Sequence, residues 1–379
     1  METTHKLFFQ SSGNLDKIQS GSIDLIVTSP PYPMIEMWDD IFSKQNKAVG
    51  KAIGKQDGNL AFELMHRILD SVWDEAFRVL KNGGFACINI GDATRSLKSN
   101  FAIYPNHARI LQYLVKTGFT ALPEIIWRKQ TNAPNKFMGS GMLPAGAYVT
   151  LEHEYILILR KGGKREFKND SERHARRRSA IFWEERNNFF SDIWLDIKGS
   201  RQGLIDKASR KRSAAFPFEL AYRLINMYSV KKDTVLDPFL GTGTTMAAAM
   251  AAARNSIGYE IDNGFYDSVI KIRENIIDLS NHHMENRLKK HIVFVNERIA
   301  SGKSLKYKNI PYGFPVITNQ EKELVLNELK TIEMIQDNLI QVDYFDNPQT
   351  PFCREWEESV MEKTVLPQTR THDLQLELF

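Results

Sequence analysis

Two stretches of the sequence carry residue types that could do chemistry, and the first is Ser29-Pro30-Pro31-Tyr32. It follows residues 23–27, an apolar, largely β-branched run that predicts a short buried strand. The two prolines end this strand because each lacks an N–H group and has a fixed φ. The Ser29 hydroxyl, the freed carbonyls and the Tyr32 ring would suit a planar group with an exocyclic amine. A plain Pro-Pro turn is the alternative interpretation of these four residues.

The second stretch covers residues 234–245, where an apolar strand breaks into a glycine loop and opens an Ala-rich helix. Gly241 and Gly243 let a ligand approach the backbone closely, and Glu260, about twenty residues further on, can hold ribose hydroxyls. The loop lacks the Lys of a phosphate-binding P-loop, and Met246 stands where a dinucleotide site has its third glycine. The expected ligand therefore lacks a pyrophosphate. A glycine turn that binds nothing is the alternative.

The elements around these stretches predict an α/β fold with a doubly wound, mostly parallel sheet, because strands and helices alternate along the chain. Helical spacing covers 61–82 and about 107–116, each followed by a glycine stop. Strand patterns cover 85–90, 119–127, 154–159 and 256–260. From residue 321 to 340 the apolar residues again have helical spacing. They predict a helical C-terminal extension, with Val325, Leu329, Ile332 and Leu339 on one stripe and a partly disordered acidic tail after it.

The composition of this 379-residue chain fits a globular protein that binds a polyanion. The net charge is only +4, but 13 acidic and five basic residues lie from Glu321 onward, so the preceding part is much more basic than the total indicates. The two cysteines, Cys87 and Cys353, form no disulfide framework or metal-ligand spacing. No apolar run is long enough to span a membrane, and a cytoplasmic location is expected.

The motif order resembles the β class of DNA amino-methyltransferases, which transfer a methyl group from S-adenosylmethionine to an amino nitrogen of a DNA base. Ser29-Pro30-Pro31-Tyr32 is similar to their catalytic motif, and residues 215–220 and 234–245 are similar to their cofactor motifs; the resemblance covers about residues 7–280. Asn14 stands where the family normally has an acid that contacts the cofactor adenine. Either the side-chain amide of Asn14 takes over that contact, or Asn14 only forms a tight turn. The resemblance implies a cofactor site formed by Asn14, Phe216, Pro217, Asp237, Pro238, Phe239, Gly241, Gly243, Thr244, Thr245 and Glu260.

The same resemblance divides the chain into a catalytic half (1–128), a target-recognition region (129–212), a cofactor-binding half (213–280) and a C-terminal extension (281–379). Basic residues in the recognition region and after the catalytic motif are expected to contact phosphates of double-stranded DNA. The lysines of residues 44–55 would share one face of a helix, although three glycines favour a mobile loop. The predicted DNA-binding residues are Lys44, Lys47, Lys51, Lys55, Arg160, Lys161, Lys164, Arg165, Arg176, Arg177, Arg178, Arg210, Lys211 and Arg212.

The serine of the catalytic motif predicts the target base. Within the resembled family, Ser-Pro-Pro-Tyr is commoner in enzymes that modify cytosine N4, and Asp- or Asn-Pro-Pro-Tyr in those that modify adenine N6. The expected function is therefore N4 methylation of cytosine in a short duplex sequence, by base flipping and direct attack, in a restriction-modification system with a possible partner endonuclease. Adenine N6 methylation, methylation of RNA or a protein amine, and a non-catalytic DNA-binding module are the alternatives.

Overall fold

The structure is a computed structural model that describes residues 1–98, 100–129, 146, 148–198, 215–303 and 305–353. No helix in these ranges is long and apolar enough to cross a bilayer. The strands are β1 Glu2–Phe8, β2 Ile23–Thr28, β3 Leu80–Ile90, β4 Ala93–Leu97, β5 Asn100–Tyr104, β6 Phe119–Ala121, β7 Ile125–Arg128, β8 His153–Lys161, β9 Ile193–Trp194, β10 Thr234–Asp237, β11 Asn255–Tyr259, β12 Tyr307–Lys308, β13 Pro315–Val316, β14 Leu329–Gln336 and β15 Leu339–Tyr344. The α-helices are α1 Asp39–Gln45, α2 Lys47–Gly54, α3 Gly58–Val79, α4 Asn106–Thr117, α5 Asp170–Arg178, α6 Trp183–Phe189, α7 Phe218–Tyr228, α8 Thr244–Ala251 and α9 Tyr266–Ala300.

One large sheet has the strand order β14-β15-β1-β11-β10-β2-β3-β8-β7-β9, with β6 paired beside β8. Its central strands β1, β11, β10, β2 and β3 are all parallel, whereas β15 and β8 join this centre in antiparallel orientation. All six residues of β2 are buried, as is typical of a parallel strand covered on both faces. The predicted α/β fold with a doubly wound sheet is confirmed.

Alternate residues of β2 belong to two different hydrophobic cores. Leu25 and Val27 pack in the core that contains α7, α8 and α9, and Ile26 packs in the core that contains α3 and α4. The side-chain period of a strand sends neighbouring residues to opposite faces, so helices cover both faces of the sheet. This packing fixes the carboxyl end of β2, where the Ser-Pro-Pro-Tyr motif begins.

The helix predicted over 321–340 is wrong. Residues 329–344 form the antiparallel hairpin β14–β15, which pairs with β1 and extends the sheet. In β15 the residues Ile340, Val342 and Tyr344 are buried and alternate with more exposed ones, which is a strand period. The stripe of apolar residues at helical spacing is also compatible with two short strands joined at Asp337-Asn338. The helical part of the extension is instead the end of α9.

Candidate active site

A cavity of about 530 Å³ opens at the carboxyl ends of four parallel strands. Residues 11–13 follow β1 and residues 29–32 follow β2. Residues 237–242 begin with the last residue of β10, residues 259–262 begin with the last residue of β11, and all of these line the cavity. Ligands of open α/β sheets bind outside the carboxyl ends of the strands, and the volume suits a small-molecule ligand. The two stretches singled out in the sequence therefore meet in one cavity.

All four residues of Ser29-Pro30-Pro31-Tyr32 line this cavity. The Ser29 hydroxyl donates a hydrogen bond to Tyr32 Oη over 3.2 Å. Burial raises the pKa of the Tyr32 phenol well above its usual value, and the nearby Glu154 carboxylate raises it further. Tyr32 is therefore a neutral hydroxyl at physiological pH and can donate a proton in a hydrogen bond.

Tyr32 is held by polar residues that the sequence analysis missed. Its hydroxyl donates to Glu154 Oε2 over 2.9 Å and accepts from Asn89 Nδ2 over 2.9 Å. Asn89 also donates to Glu154 Oε2 over 2.7 Å, and Lys129 Nζ lies 2.8 Å from Glu154 Oε1. Asn89 on β3 and Glu154 on β8 are distant in sequence and come together because these two strands pair. The available signal was a carboxylate at the start of the apolar strand 154–159.

Asp237 is a buried carboxylate at the end of β10 that also lines the cavity. Its oxygens accept hydrogen bonds from the hydroxyls of Thr28 and Thr245, each over 2.6 Å, and from the Phe239 backbone N–H over 3.0 Å. Burial nevertheless raises the pKa of Asp237 to about 6, because desolvation of the charged form outweighs these hydrogen bonds. Asp237 thus provides a fixed negative group at pH 7.

Glu260 and the glycine loop form the other wall of the cavity. Glu260 Oε2 accepts the Gly241 N–H over 2.8 Å, and Oε1 accepts the Asp262 N–H over 2.9 Å. Burial raises the pKa of Glu260. A carboxylate oxygen accepts more than one hydrogen bond, so both oxygens retain capacity for ligand hydroxyls. Gly243 has φ of +88°, and a Cβ there would lie 2.6 Å from Ile272 Cδ1, so this position requires glycine.

Most of the predicted cofactor residues line the cavity: Phe216, Asp237, Pro238, Phe239, Gly241, Thr244 and Glu260. Thr245 orients Asp237, and Pro217 and Gly243 precede the first residues of α7 and α8. Asn14 is exposed, and the cavity wall beside it is formed by Ser11, Ser12 and Gly13. The next residue, Leu15, is buried and its N–H donates to Glu75 Oε2, and the turn leaves Asn14 at the surface.

The predicted DNA-binding lysines after the catalytic motif lie on α1, on α2 or directly after α2, and of these two helices α1 contributes residues to the cavity wall. Lys44 on α1 lines it, and Lys47, Lys51 and Lys55 are exposed on or directly after α2, while Val49 and Ala52 of that helix are buried. The segment is therefore helical rather than the loop that its glycines favoured. Arg95 in β4 forms two hydrogen bonds to the Asp39 carboxylate, at 2.8 and 2.7 Å, and ties the β4–β5 hairpin to α1.

The predicted DNA-binding residues at the end of β8 and after it lie at the edge of the sheet opposite the cavity, and their contact with phosphates stays a prediction. Because β8 is antiparallel to β3, its carboxyl end lies at the amino ends of the central strands. Several of these side chains have protein partners. Arg165 contacts Asp233 at 2.6 and 2.9 Å, Lys161 donates to the Leu80 carbonyl at 2.8 Å, and Arg177 contacts Glu323 at 2.6 Å.

The remaining residues of this basic group either contact residues that are near in sequence or are wholly or partly exposed. Arg160 donates to the Gly162 carbonyl, Arg176 lies over the Phe167 ring, Lys164 is exposed, and Arg178 is half-buried at the end of α5. Nothing in these contacts places them at the cavity. Arg210, Lys211 and Arg212 are outside the described residues.

The fold and the cavity agree with comparisons to known proteins. Residues 23–271 match the N6/N4 DNA methylase family, and the chain belongs to this family of DNA amino-methyltransferases. Among its relatives, the type II methyltransferase M.MthZI of Methanothermobacter thermautotrophicus is 50% identical over 351 residues, which cover 92% of this chain and 98% of that protein. The type II methyltransferase M.MjaI of Methanocaldococcus jannaschii is 49% identical over 272 residues, 69% of this chain and 88% of that protein.

A solved structure is similar to this chain as well. TTHA0409 of Thermus thermophilus, determined in complex with S-adenosyl-L-methionine, has 31% sequence identity and a TM-score of 0.56. The match covers 72% of this chain and 95% of that one. The family predicted from the Ser-Pro-Pro-Tyr and glycine-loop motifs is confirmed, and DNA is the substrate class of that family.

Proposed function

We propose that the protein is a site-specific DNA methyltransferase that transfers a methyl group from S-adenosylmethionine to N4 of cytosine in a short duplex sequence. One observation carries the proposal: Ser29-Pro30-Pro31-Tyr32 and the Asp237–Glu260 wall line a single cavity at the carboxyl ends of the parallel strands. Methyl transfer needs the acceptor amine and the donor side by side, and this cavity brings their two motifs together. The serine at the first motif position supports cytosine over adenine.

The residues of the cavity fit S-adenosylmethionine as the cofactor. Glu260 offers carboxylate oxygens for the ribose hydroxyls, and Asp237 offers a negative group for the ammonium of the amino-acid portion. Phe239 and Ile261 add apolar surface for the purine. The buried Thr242 hydroxyl lines the cavity and has no hydrogen-bond partner among the described residues, as expected of a group that meets a ligand. When bound, the cofactor supplies an electrophilic methyl group.

The chain's own residues would prepare the target amine for attack. The lone pair of an aryl amine is delocalised into its ring, so the amine is a weak nucleophile until hydrogen bonds localise that pair. The Ser29 hydroxyl and the Pro30 carbonyl are the acceptors expected for its N–H groups, and Tyr32 would contact the face of the base. Alignment in a water-excluded cavity then supplies most of the rate enhancement.

The duplex is expected to approach the face formed by α1, α2 and the β4–β5 hairpin. Lys47, Lys51 and Lys55 are exposed there, and α2 itself contains no acidic residue. Lysines on such a face neutralise phosphates and release counterions. The target base must leave the helical stack to reach a cavity below this face, so base flipping is part of the proposal.

The biological setting follows from the relatives. M.MthZI and M.MjaI are named type II methyltransferases, and the similarity covers most of each protein. We therefore assign this chain to the protection of DNA in a restriction-modification system, with an endonuclease that acts on the same sequence as the expected partner. A DNA substrate also supports the cytoplasmic location expected from the sequence.

Nucleoside mass spectrometry tests the proposal directly. Unmethylated genomic DNA is incubated with the protein and S-adenosylmethionine, digested, and analysed for modified nucleosides. N4-methyldeoxycytidine is the expected product. N6-methyldeoxyadenosine would overturn the assignment of the base and keep the enzyme class, and the absence of both with intact cofactor binding would overturn the activity. A parallel incubation with RNA is the control for polymer choice.

A further inference from the structure

A directed chain of hydrogen bonds leads from the cavity into the sheet. Ser29 Oγ donates to Tyr32 Oη over 3.2 Å, and Tyr32 Oη donates to Glu154 Oε2 over 2.9 Å. Ser29 and Tyr32 line the cavity, whereas Glu154 is only 8% exposed and lies on β8. The chain therefore joins the position expected for the target amine to a buried carboxylate.

The direction of this chain is fixed by the other partners of Tyr32. A phenol oxygen has one proton to donate, and it accepts hydrogen bonds through its lone pairs. Tyr32 Oη already accepts from Ser29 and from Asn89 Nδ2, so its own proton points to Glu154. Glu154 in turn accepts from Tyr32 and Asn89 on Oε2 and contacts Lys129 through Oε1.

Close packing holds the two residues in this arrangement. A Cβ at Gly91 would lie 2.9 Å from Tyr32 Cε2 and 3.3 Å from Glu154 Cγ. The Tyr32 ring and the Glu154 side chain thus fill the space against the backbone at the end of β3. Such packing prevents the phenol from turning away from the carboxylate.

We propose that Glu154 is the positioning residue and final proton acceptor for methyl transfer, acting through Tyr32 and Ser29. This inference rests on the proposed function. The amine nitrogen forms a bond to the methyl carbon with its lone pair, and the bond from sulfur to that carbon breaks with its electron pair left on sulfur. The proton released by nitrogen passes to Ser29 Oγ, the Ser29 proton to Tyr32 Oη, and the Tyr32 proton to Glu154 Oε2.

Glu154 returns to its starting state through the other end of its carboxylate. Oε1 contacts Lys129, whose side chain is 45% exposed, so the proton can leave to water on that side. The same chain favours the attack itself, because consecutive hydrogen bonds polarise one another in a low-dielectric site. The negative charge of Glu154 strengthens the acceptor character of Tyr32 and Ser29, which draws the amine proton away and localises the lone pair.

Glu154 also forms an ion pair with Lys129 and could serve only to join β8 to β7. The half-exposed lysine makes that pair a weak contribution to stability.

Variants separate the two roles of Glu154. Glu154→Gln keeps a carbonyl oxygen for Tyr32 but cannot take a proton, and Tyr32→Phe keeps the ring and removes the relay. Glu152→Gln is the matched control, because Glu152 pairs with Arg128 near the same strand.

The experiment measures single-turnover methyl transfer with saturating S-adenosylmethionine and DNA, in H₂O and in D₂O. In Glu154→Gln and Tyr32→Phe we expect the rate to fall by about 10²-fold, the lower end of the range of general acid–base effects. The double variant should be no slower than either single one, because both remove the same relay. The wild-type solvent isotope effect should disappear in both, whereas cofactor and DNA dissociation constants and the Glu152→Gln rate stay unchanged.

Each outcome decides one point. If the wild type methylates DNA and Glu154→Gln keeps its rate and isotope effect, the relay is wrong and the proposed function stands. If Glu154→Gln does not fold, Tyr32→Phe gives the same decision. If the wild type does not methylate DNA, the proposed function fails. In that case NMR of the free protein labelled at Tyr Cζ still tests the bond, because Glu154→Gln must shift the Tyr32 signal if the carboxylate accepts its proton.

Discussion

At the scale of residues, the cavity depends on two buried carboxylates that differ in how they are held. Asp237 is fixed by the Thr28 and Thr245 hydroxyls, whereas Glu260 is fixed by two backbone N–H groups. Burial raises the pKa of both. A carboxylate kept in a site against its desolvation cost reduces the stability of the free protein, as is typical of groups retained for ligand binding.

Asp237 gives the free protein a pH-dependent stability. Its folded pKa of about 6 lies above the ordinary value of 3.8, so the folded state binds the proton more tightly than the unfolded state. The stabilisation is complete below pH 3.8 and is lost as pH rises through 6, by up to about 3 kcal/mol. Urea denaturation at pH 4 and pH 7 should show that the stability of the wild type relative to Asp237→Asn decreases toward pH 7. An unchanged difference would contradict the shift.

Ser29 and Glu260 should have separable roles. Ser29→Ala removes the acceptor of the target amine and should lower turnover by about 10²-fold with little change in cofactor affinity. Glu260→Ala removes the expected ribose contact and should weaken cofactor binding first. Titration calorimetry with S-adenosylmethionine and single-turnover rates distinguish these effects. An equal loss of cofactor affinity in both variants would contradict this division.

The sequence was sufficient to identify the site residues that directly follow a strand. It was insufficient to identify the site residues that lie on a neighbouring strand. Ser29-Pro30-Pro31-Tyr32 and the glycine loop are contiguous, so their chemistry could be recognised from types and spacing. Asn89 and Glu154 acquire a role only through the pairing of β3 with β8, which no local pattern encodes. Asn14 is exposed although Ser11, Ser12 and Gly13 line the cavity, because one residue in a turn decides whether a side chain meets the cavity or the solvent.

At the scale of elements, α2 and the segment after β8 carry similar charge in different places. The exposed lysines of α2 lie on a helix that packs against α1, and α1 forms part of the cavity wall. The basic residues after β8 lie at the amino ends of the strands. A charge count could not separate these runs, because the antiparallel direction of β8 decides which edge its last residues reach. Residues 321–340 were likewise predicted to be helical although most of them belong to a strand hairpin. A few apolar residues in a short segment fit the side-chain period of a helix as well as that of a strand.

The lysines of α2 should account for part of the DNA affinity. Replacement of both Lys47 and Lys51 by Ala should weaken binding to any duplex and reduce the slope of log K against log salt by about 2, one unit for each phosphate contact. Lys164→Ala with Lys168→Ala is the matched control, because both side chains are exposed after β8. Fluorescence anisotropy at several salt concentrations measures both pairs. An equal loss of DNA affinity in the two double variants would contradict the proposal that the duplex binds at α2.

At the scale of the whole molecule, the sheet extends well past its parallel centre. The β14–β15 hairpin pairs with β1 and buries Ile340 and Val342 in the core that also holds α7, α8 and α9. No residue of β14 or β15 lines the cavity, so the hairpin supports the sheet that carries the site without forming part of its wall. Stability and chemistry are therefore assigned to different parts of one sheet.

Ile340→Ala should destabilise the protein by about 2–5 kcal/mol, the usual range for a fully buried aliphatic side chain. Gln341→Ala, on the opposite side of the same strand, should change the stability by about 0.5 kcal/mol or less. Urea denaturation measures both. Cofactor affinity of the folded Ile340→Ala protein should equal that of the wild type, and a loss of affinity at unchanged stability would contradict the assignment.

The strand order has a consequence for the protein as it leaves the ribosome. β1 and β2 are made first, but in the sheet β11 and β10 lie between them. The Ser-Pro-Pro-Tyr loop therefore emerges long before the strands that must be inserted beside it, and the nascent chain carries an open gap in its future sheet. A ribosome-bound chain can acquire the complete cavity only when residues through Glu260 have been released. Methylation competence thus arises in one late step, so a prematurely terminated chain that lacks those strands cannot modify DNA.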